Sequence, residues 1–184
     1  GCDGICMDTL INRLRHLDDS TPPLILSTSY ALARLVDALG GEPLPLPTGT
    51  RLMLTGGFKG QMNHLNPESL LDATITTLGL TPDAVTQEYG MTELTSQMYG
   101  TPLDAPPWLH WRIVTPEDHQ PIAQGQSGQI AFFDLLNLDN VSSILTSDVG
   151  YETMDGKLVL SGRLQDAPQR GCSLSAVALM ERKQ

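Results

Sequence analysis

Apolar positions in the first hundred residues switch between helical and strand-like spacing. Ile5, Leu10, Leu14 and Leu17 recur at helical intervals, with Arg13, Arg15 and Asp18 on the other side, which predicts an amphipathic helix over 5–18. Pro22-Pro23 ends it, and Leu24-Ile25-Leu26 reads as a short buried strand. Residues 27–29 can cap a second helix over 30–39, which Gly40-Gly41 closes. A proline-spaced extended connection leads to a strand from Arg51 to Thr55, entering Gly56-Gly57. Asn66, as N-cap, and Pro67 open a third helix that Gly79 closes, and Ala84 to Gln87 leads into a turn at Tyr89-Gly90-Met91-Thr92-Glu93.

Past residue 100 the pattern changes. Pro102, Pro106 and Pro107 mark a boundary, and strands are expected over 108–114, 128–133, 142–146 and 157–161, with turns at 125–128 and 155–156. The expected fold class is α/β: an α/β layered subdomain (1–100), then a small antiparallel β-sheet or half-barrel subdomain (101–162), then a hinge and short tail (163–184).

Composition narrows the function classes. The 184 residues are 40% apolar, 17% charged and only 5% aromatic, so an aliphatic globular core is expected. A net charge of −10 and scattered basic residues oppose a nucleic-acid partner, but not a magnesium-bound nucleotide, whose metal offsets phosphate charge. No apolar run reaches the length of a membrane span. Three cysteines make no disulfide framework; Cys2 and Cys6 are read as structural, and a reduced cytoplasmic location is expected.

Three segments carry chemistry. In Gln-Glu-Tyr-Gly-Met-Thr-Glu (87–93), Tyr89 offers a ring for a purine and Gly90 permits close backbone approach. Thr92 offers a hydroxyl to a phosphate oxygen, and Glu93 a hard oxygen ligand for Mg²⁺. The alternative is a strand running into a turn with Tyr89 half-buried. In Ile144-Leu145-Thr146-Ser147-Asp148-Val149-Gly150, an apolar strand delivers Asp148 just before a glycine turn, where a carboxylate can accept both ribose hydroxyls or merely cap the turn. In Gly162-Arg163-Leu164-Gln165-Asp166, Arg163 can grip a phosphate or ribose oxygen, or lie in a polar surface loop.

These pieces occur in a fixed order: Gly-Gly after a strand, Tyr-Gly-Met-Thr-Glu, a glycine-flanked strand opening at 125–130, Thr-Ser-Asp-x-Gly and Gly-Arg-x-x-Asp. The series, over roughly residues 50–175, resembles the adenylate-forming superfamily of acyl-CoA synthetases, luciferases and adenylation domains. Within it, Gly-Gly-Phe-Lys and the ending Arg-Gly-Cys-Ser-Leu-Ser are most similar to acyl-protein synthetases of the bacterial bioluminescence type. The resemblance implies ATP-dependent activation of a fatty acid, or another carboxylate, as acyl-AMP and transfer to a thiol, with an acyl reductase or transferase subunit as partner. It further implies that Gly56 and Gly57 line the acyl and adenine pocket, Tyr89 and Gly90 flank adenine, Thr92 touches phosphate, Glu93 binds Mg²⁺, Asp148 holds the ribose and Arg163 reaches ribose or phosphate. Asp166 marks the hinge. Cys172 is the candidate acyl acceptor, since a thiolate attacks an acyl-adenylate readily; the alternative is a small buried hydrophobe.

Two elements of the superfamily pattern are missing: a Ser/Thr/Gly-rich loop ending in Lys that handles the ATP β- and γ-phosphates, and a C-terminal catalytic Lys. The expectation is a C-terminal half that binds AMP or acyl-AMP weakly and does not turn over alone. An acyl-CoA synthetase fragment and a non-catalytic nucleotide-binding or docking module are the competing readings.

Overall fold

The computed structural model describes residues 6–56 and 67–164. Among them the chain divides into two compact units, the first running to Thr86 and the second starting at Gln87. The passage between them lies inside a strand, upstream of the proline-marked boundary near residue 100.

The first unit is a β-α-β arrangement with two further helices. Helix α1 (Met7–Arg15) precedes β1 (Leu24–Thr28), α2 (Ser29–Leu39), β2 (Arg51–Thr55) and α3 (Pro67–Leu78). Strands β1 and β2 pair in parallel, a geometry that requires a crossover, and α2 supplies it. Thr28 is the N-cap of α2: its Oγ1 accepts from the Ala31 N–H at 3.2 Å. Leu32, Ala33, Leu52, Leu54, Leu70 and Leu78 form the aliphatic core. The expected burial of β1 fails. Leu24 and Leu26 are 65% and 64% exposed, because period-2 alternation turns them away from the core while Ile25 packs against it.

Strand β3 (Val85–Tyr89) carries the chain into the second unit, an antiparallel sheet built with β4 (Met98–Gly100), β5 (Leu103–Asp104), β6 (Leu109–Val114), β7 (Gly128–Asp134), β8 (Ser143–Glu152) and β9 (Leu158–Arg163). From β3 the order runs β4, β5, β9, β8, β7, β6. The mixed α/β class, with an antiparallel β portion, agrees with the expectation from sequence. Its core gathers Tyr89, Leu94, Met98, Leu103, Leu109, Ile113, Ile130, Phe132 and Leu158. The short strands β4 and β5 escaped the sequence pattern, being too brief to show a period.

Three local expectations are corrected. Tyr89 ends a strand rather than sitting in a turn. Asp148 lies inside β8, which continues six residues beyond the expected end at 146. Gly150 is no turn residue either: it is buried in β8, and a side chain there would collide with the Val159 carbonyl oxygen. Glycine lets β9 close against β8, where the register shifts between Val149 and Gly150.

Candidate functional site

The pairing of β8 with β9 sets Asp148 directly opposite Arg163. Cross-strand neighbours share a face, so their charges meet: Arg163 Nε lies 2.8 Å from Asp148 Oδ1. The other carboxylate oxygen, Oδ2, accepts the Tyr89 hydroxyl at 2.8 Å. Three residues from three strands, 59 positions apart at the widest hydrogen bond, therefore form one cluster. The pair is partly open to solvent, with the side chains of Asp148 and Arg163 21% and 37% exposed.

Thr146 fixes the approach of Asp148. Its buried Oγ1 donates to the Ile130 carbonyl at 2.9 Å and accepts from the Asp148 N–H at 3.0 Å. The Gln129 amide in turn donates to the Thr146 carbonyl. These bonds satisfy backbone groups where register shifts interrupt the β7–β8 and β8–β9 ladders.

Tyr89 is only 9% exposed, deeper than the half-buried position considered from sequence, and its ring stacks on Phe132 with centroids 5.8 Å apart. Burial raises its phenol pKa well above the ordinary range, and the Asp148 charge and hydrogen bond push the same way. The hydroxyl stays protonated and serves as a fixed donor to Asp148. A carboxylate has about four acceptor positions. Among the described residues Tyr89 reaches Oδ2 and Arg163 reaches Oδ1.

The loop after Tyr89 is exposed at Thr92 and Glu93, and Thr92 Oγ1 donates to Glu93 Oε2 at 3.1 Å. No cluster of three or more metal-ligating side chains occurs among the described residues. Mg²⁺ suits such a place all the same, since it is commonly held by one or two carboxylates plus phosphate oxygens and water. Gly90 is also exposed; a Cβ there would come 2.8 Å from Gln97 Cγ, so the glycine leaves room for the Gln97 stem. Gly56 belongs to the first unit. Its φ of +71° favours glycine, and its carbonyl accepts the Ser29 hydroxyl at 2.6 Å. Gly57, Asp166 and Cys172 lie outside the described residues.

Sequence reading missed Phe132, which backs Tyr89, and the pair Asp134 and Asn137. Asp134 was discoverable: Ile130, Phe132 and Asp134 alternate on one face of β7, so period 2 carries a carboxylate into the core.

No protein-family profile matches the chain. In sequence it is 23% identical over 176 residues to a long-chain-fatty-acid–luciferin-component ligase of Aliivibrio fischeri, covering 88% of this chain and 45% of that protein. Among solved structures, ATP-bound MatB from Rhodopseudomonas palustris matches with a TM-score of 0.58 at 15% identity, over 86% of this chain and 33% of that one. A luciferase-like enzyme of the mealworm Zophobas morio matches at 0.60 and 13% identity, over 90% and 42%. The adenylation domain of a keto acid-selecting peptide-synthetase module, bound to a keto acyl adenylate, matches at 0.61 and 15% identity, over 88% and 39%. The chain thus spans less than half the length of each of these proteins. It shares its fold with the corresponding parts of ATP-bound MatB and of the acyl-adenylate-bound adenylation domain, and its sequence is similar to part of a long-chain-fatty-acid–luciferin-component ligase.

Proposed function

We propose that this chain is the adenosine- and metal-handling part of an enzyme that activates a fatty acid, or a related carboxylate, as acyl-AMP and passes the acyl group to a thiol. The observation that carries the reading is the contact of Tyr89, Asp148 and Arg163, three residues singled out from separate sequence segments. In this reading Asp148 accepts the ribose hydroxyls while Tyr89 and Arg163 hold its carboxylate in orientation. The Arg163 guanidinium faces ribose or phosphate oxygens. Tyr89 and Gly90 border the base, and Thr92 the phosphate. Glu93 would hold Mg²⁺, which when bound offsets the charge of the phosphates.

The carboxylate oxygen bonds to the α-phosphorus as pyrophosphate leaves; a thiolate then bonds to the acyl carbon and AMP leaves. Cys172 is the proposed thiol, and coenzyme A the alternative. Because positioning of the triphosphate is part of this chemistry, and no Ser/Thr/Gly-rich loop ending in Lys is present in the sequence, the 184-residue chain alone binds AMP without turnover. Calorimetry tests this: AMP binds the wild-type chain and binds Asp148→Asn more weakly. Equal affinity for both proteins removes Asp148 from the site, and fatty-acid-dependent ATP–pyrophosphate exchange by the chain alone contradicts the division of labour.

A further inference from the structure

The end of β7 and the turn that follows it reach under the Thr92–Glu93 segment with two buried polar side chains, Asp134 and Asn137. Asp134 is 0% exposed, and its carboxylate accepts from the Thr95 N–H at 2.8 Å, from Thr95 Oγ1 at 2.8 and 3.0 Å, and from the Leu136 N–H at 3.0 Å. Burial pushes this carboxyl toward protonation, but the bonds from Thr95 and Leu136 outweigh it and hold its pKa below the ordinary range. Asn137, 9% exposed, donates from Nδ2 to the Glu93 carbonyl at 2.9 Å and to the Val141 carbonyl at 3.2 Å. The loop is thus gripped on both sides of Leu94, whose side chain is itself buried in the core. Glu93 and Thr92 stand exposed above these anchors.

We infer that Asp134 and Asn137 are positioning residues that fix the main chain of Glu93 and so aim its carboxylate. A carboxylate buried against neutral donors gives a stiff network at a high desolvation cost. A surface loop with no geometric task does not require that, whereas an oxygen ligand that must meet a metal–phosphate complex does. The inference rests on the reading of Glu93 as a metal ligand given above.

The experiment measures two quantities on the 184-residue chain: amide hydrogen exchange over 92–95, and ATP affinity with Mg²⁺ and with chelator. Asp134→Asn and Asn137→Asp keep side-chain size while removing the required acceptor or donor. Both are expected to speed exchange at Glu93, Leu94 and Thr95. The gain in ATP affinity that Mg²⁺ provides should fall by about tenfold or more, a loss typical of groups that orient a metal ligand. Thr95→Ser, which keeps both donors to Asp134, should behave as wild type. Glu93→Gln should lose the Mg²⁺ gain without faster exchange.

A full Mg²⁺ gain in folded Asp134→Asn and Asn137→Asp overturns the inference, as does unchanged exchange. Should Asp134→Asn not fold, Thr95→Val and Asn137→Asp decide by the same criteria. A wild-type chain with no Mg²⁺ gain overturns the metal reading of Glu93 and this inference with it, which separates that failure from the first.

Discussion

Tyr89 shows how a single side chain changes role once its partners are known. Its hydroxyl is buried and bonded to Asp148, so its neutral form is favoured in the fold. A group whose folded pKa is raised stabilises the protein fully below its unfolded value, about 10 for a phenol. That contribution is lost as pH climbs from there toward the folded pKa. The phenolate absorbance of Tyr89, taken as the difference between wild type and Tyr89→Phe, should therefore appear only well above the ordinary tyrosine range. Tyr89→Phe should also cost about 1 kcal/mol in a denaturant melt. An alkaline difference spectrum centred near pH 10 contradicts the burial of Tyr89 beside the Asp148 carboxylate. Asp134 gives the opposite sign: its depressed pKa means stability that is present above about pH 4 and lost as pH falls through the folded value. Asp134→Ala strands the Thr95 and Leu136 N–H groups and should cost about 3 kcal/mol, with the acid limb of the stability curve flattened.

At the scale of elements, the sequence was legible wherever a period ran long enough. Helices α1, α2 and α3 and strands β2, β6 and β7 fall close to where apolar spacing and capping residues put them. Register was not legible, because nothing in one strand states which residue of another lies opposite. The Asp148–Arg163 pair depends on that register, so the sequence could name both residues but not their contact. Strand β8 was cut short for a related reason. Ser147, Asp148 and Gly150 look like turn formers, yet Gly150 is in β8 because the Val159 backbone leaves no room for a side chain. Gly150→Ala should overpack this crossing and destabilise the chain by about 1–3 kcal/mol. Unaltered stability would mean that β9 shifts freely, and with it Arg163.

For the whole molecule, the order of motifs was informative where each motif alone was not. Similarity to a luciferin-component ligase and to adenylate-forming folds accords with that order, over less than half of each compared protein. The clustering of Tyr89, Asp148 and Arg163 gives the proposed adenosine site its physical basis. The anchors beneath Glu93 went unread because a turn rich in Leu, Asn and Asp looks like any solvated hairpin tip. The most direct test is a crystal structure of the chain with AMP. Both ribose hydroxyls should lie on the Asp148 carboxylate, at hydrogen-bond distances of roughly 2.5–3.0 Å, with Tyr89 and Arg163 still bound to it. AMP seated elsewhere, with Asp148 touching only Tyr89 and Arg163, would contradict the proposed adenosine site.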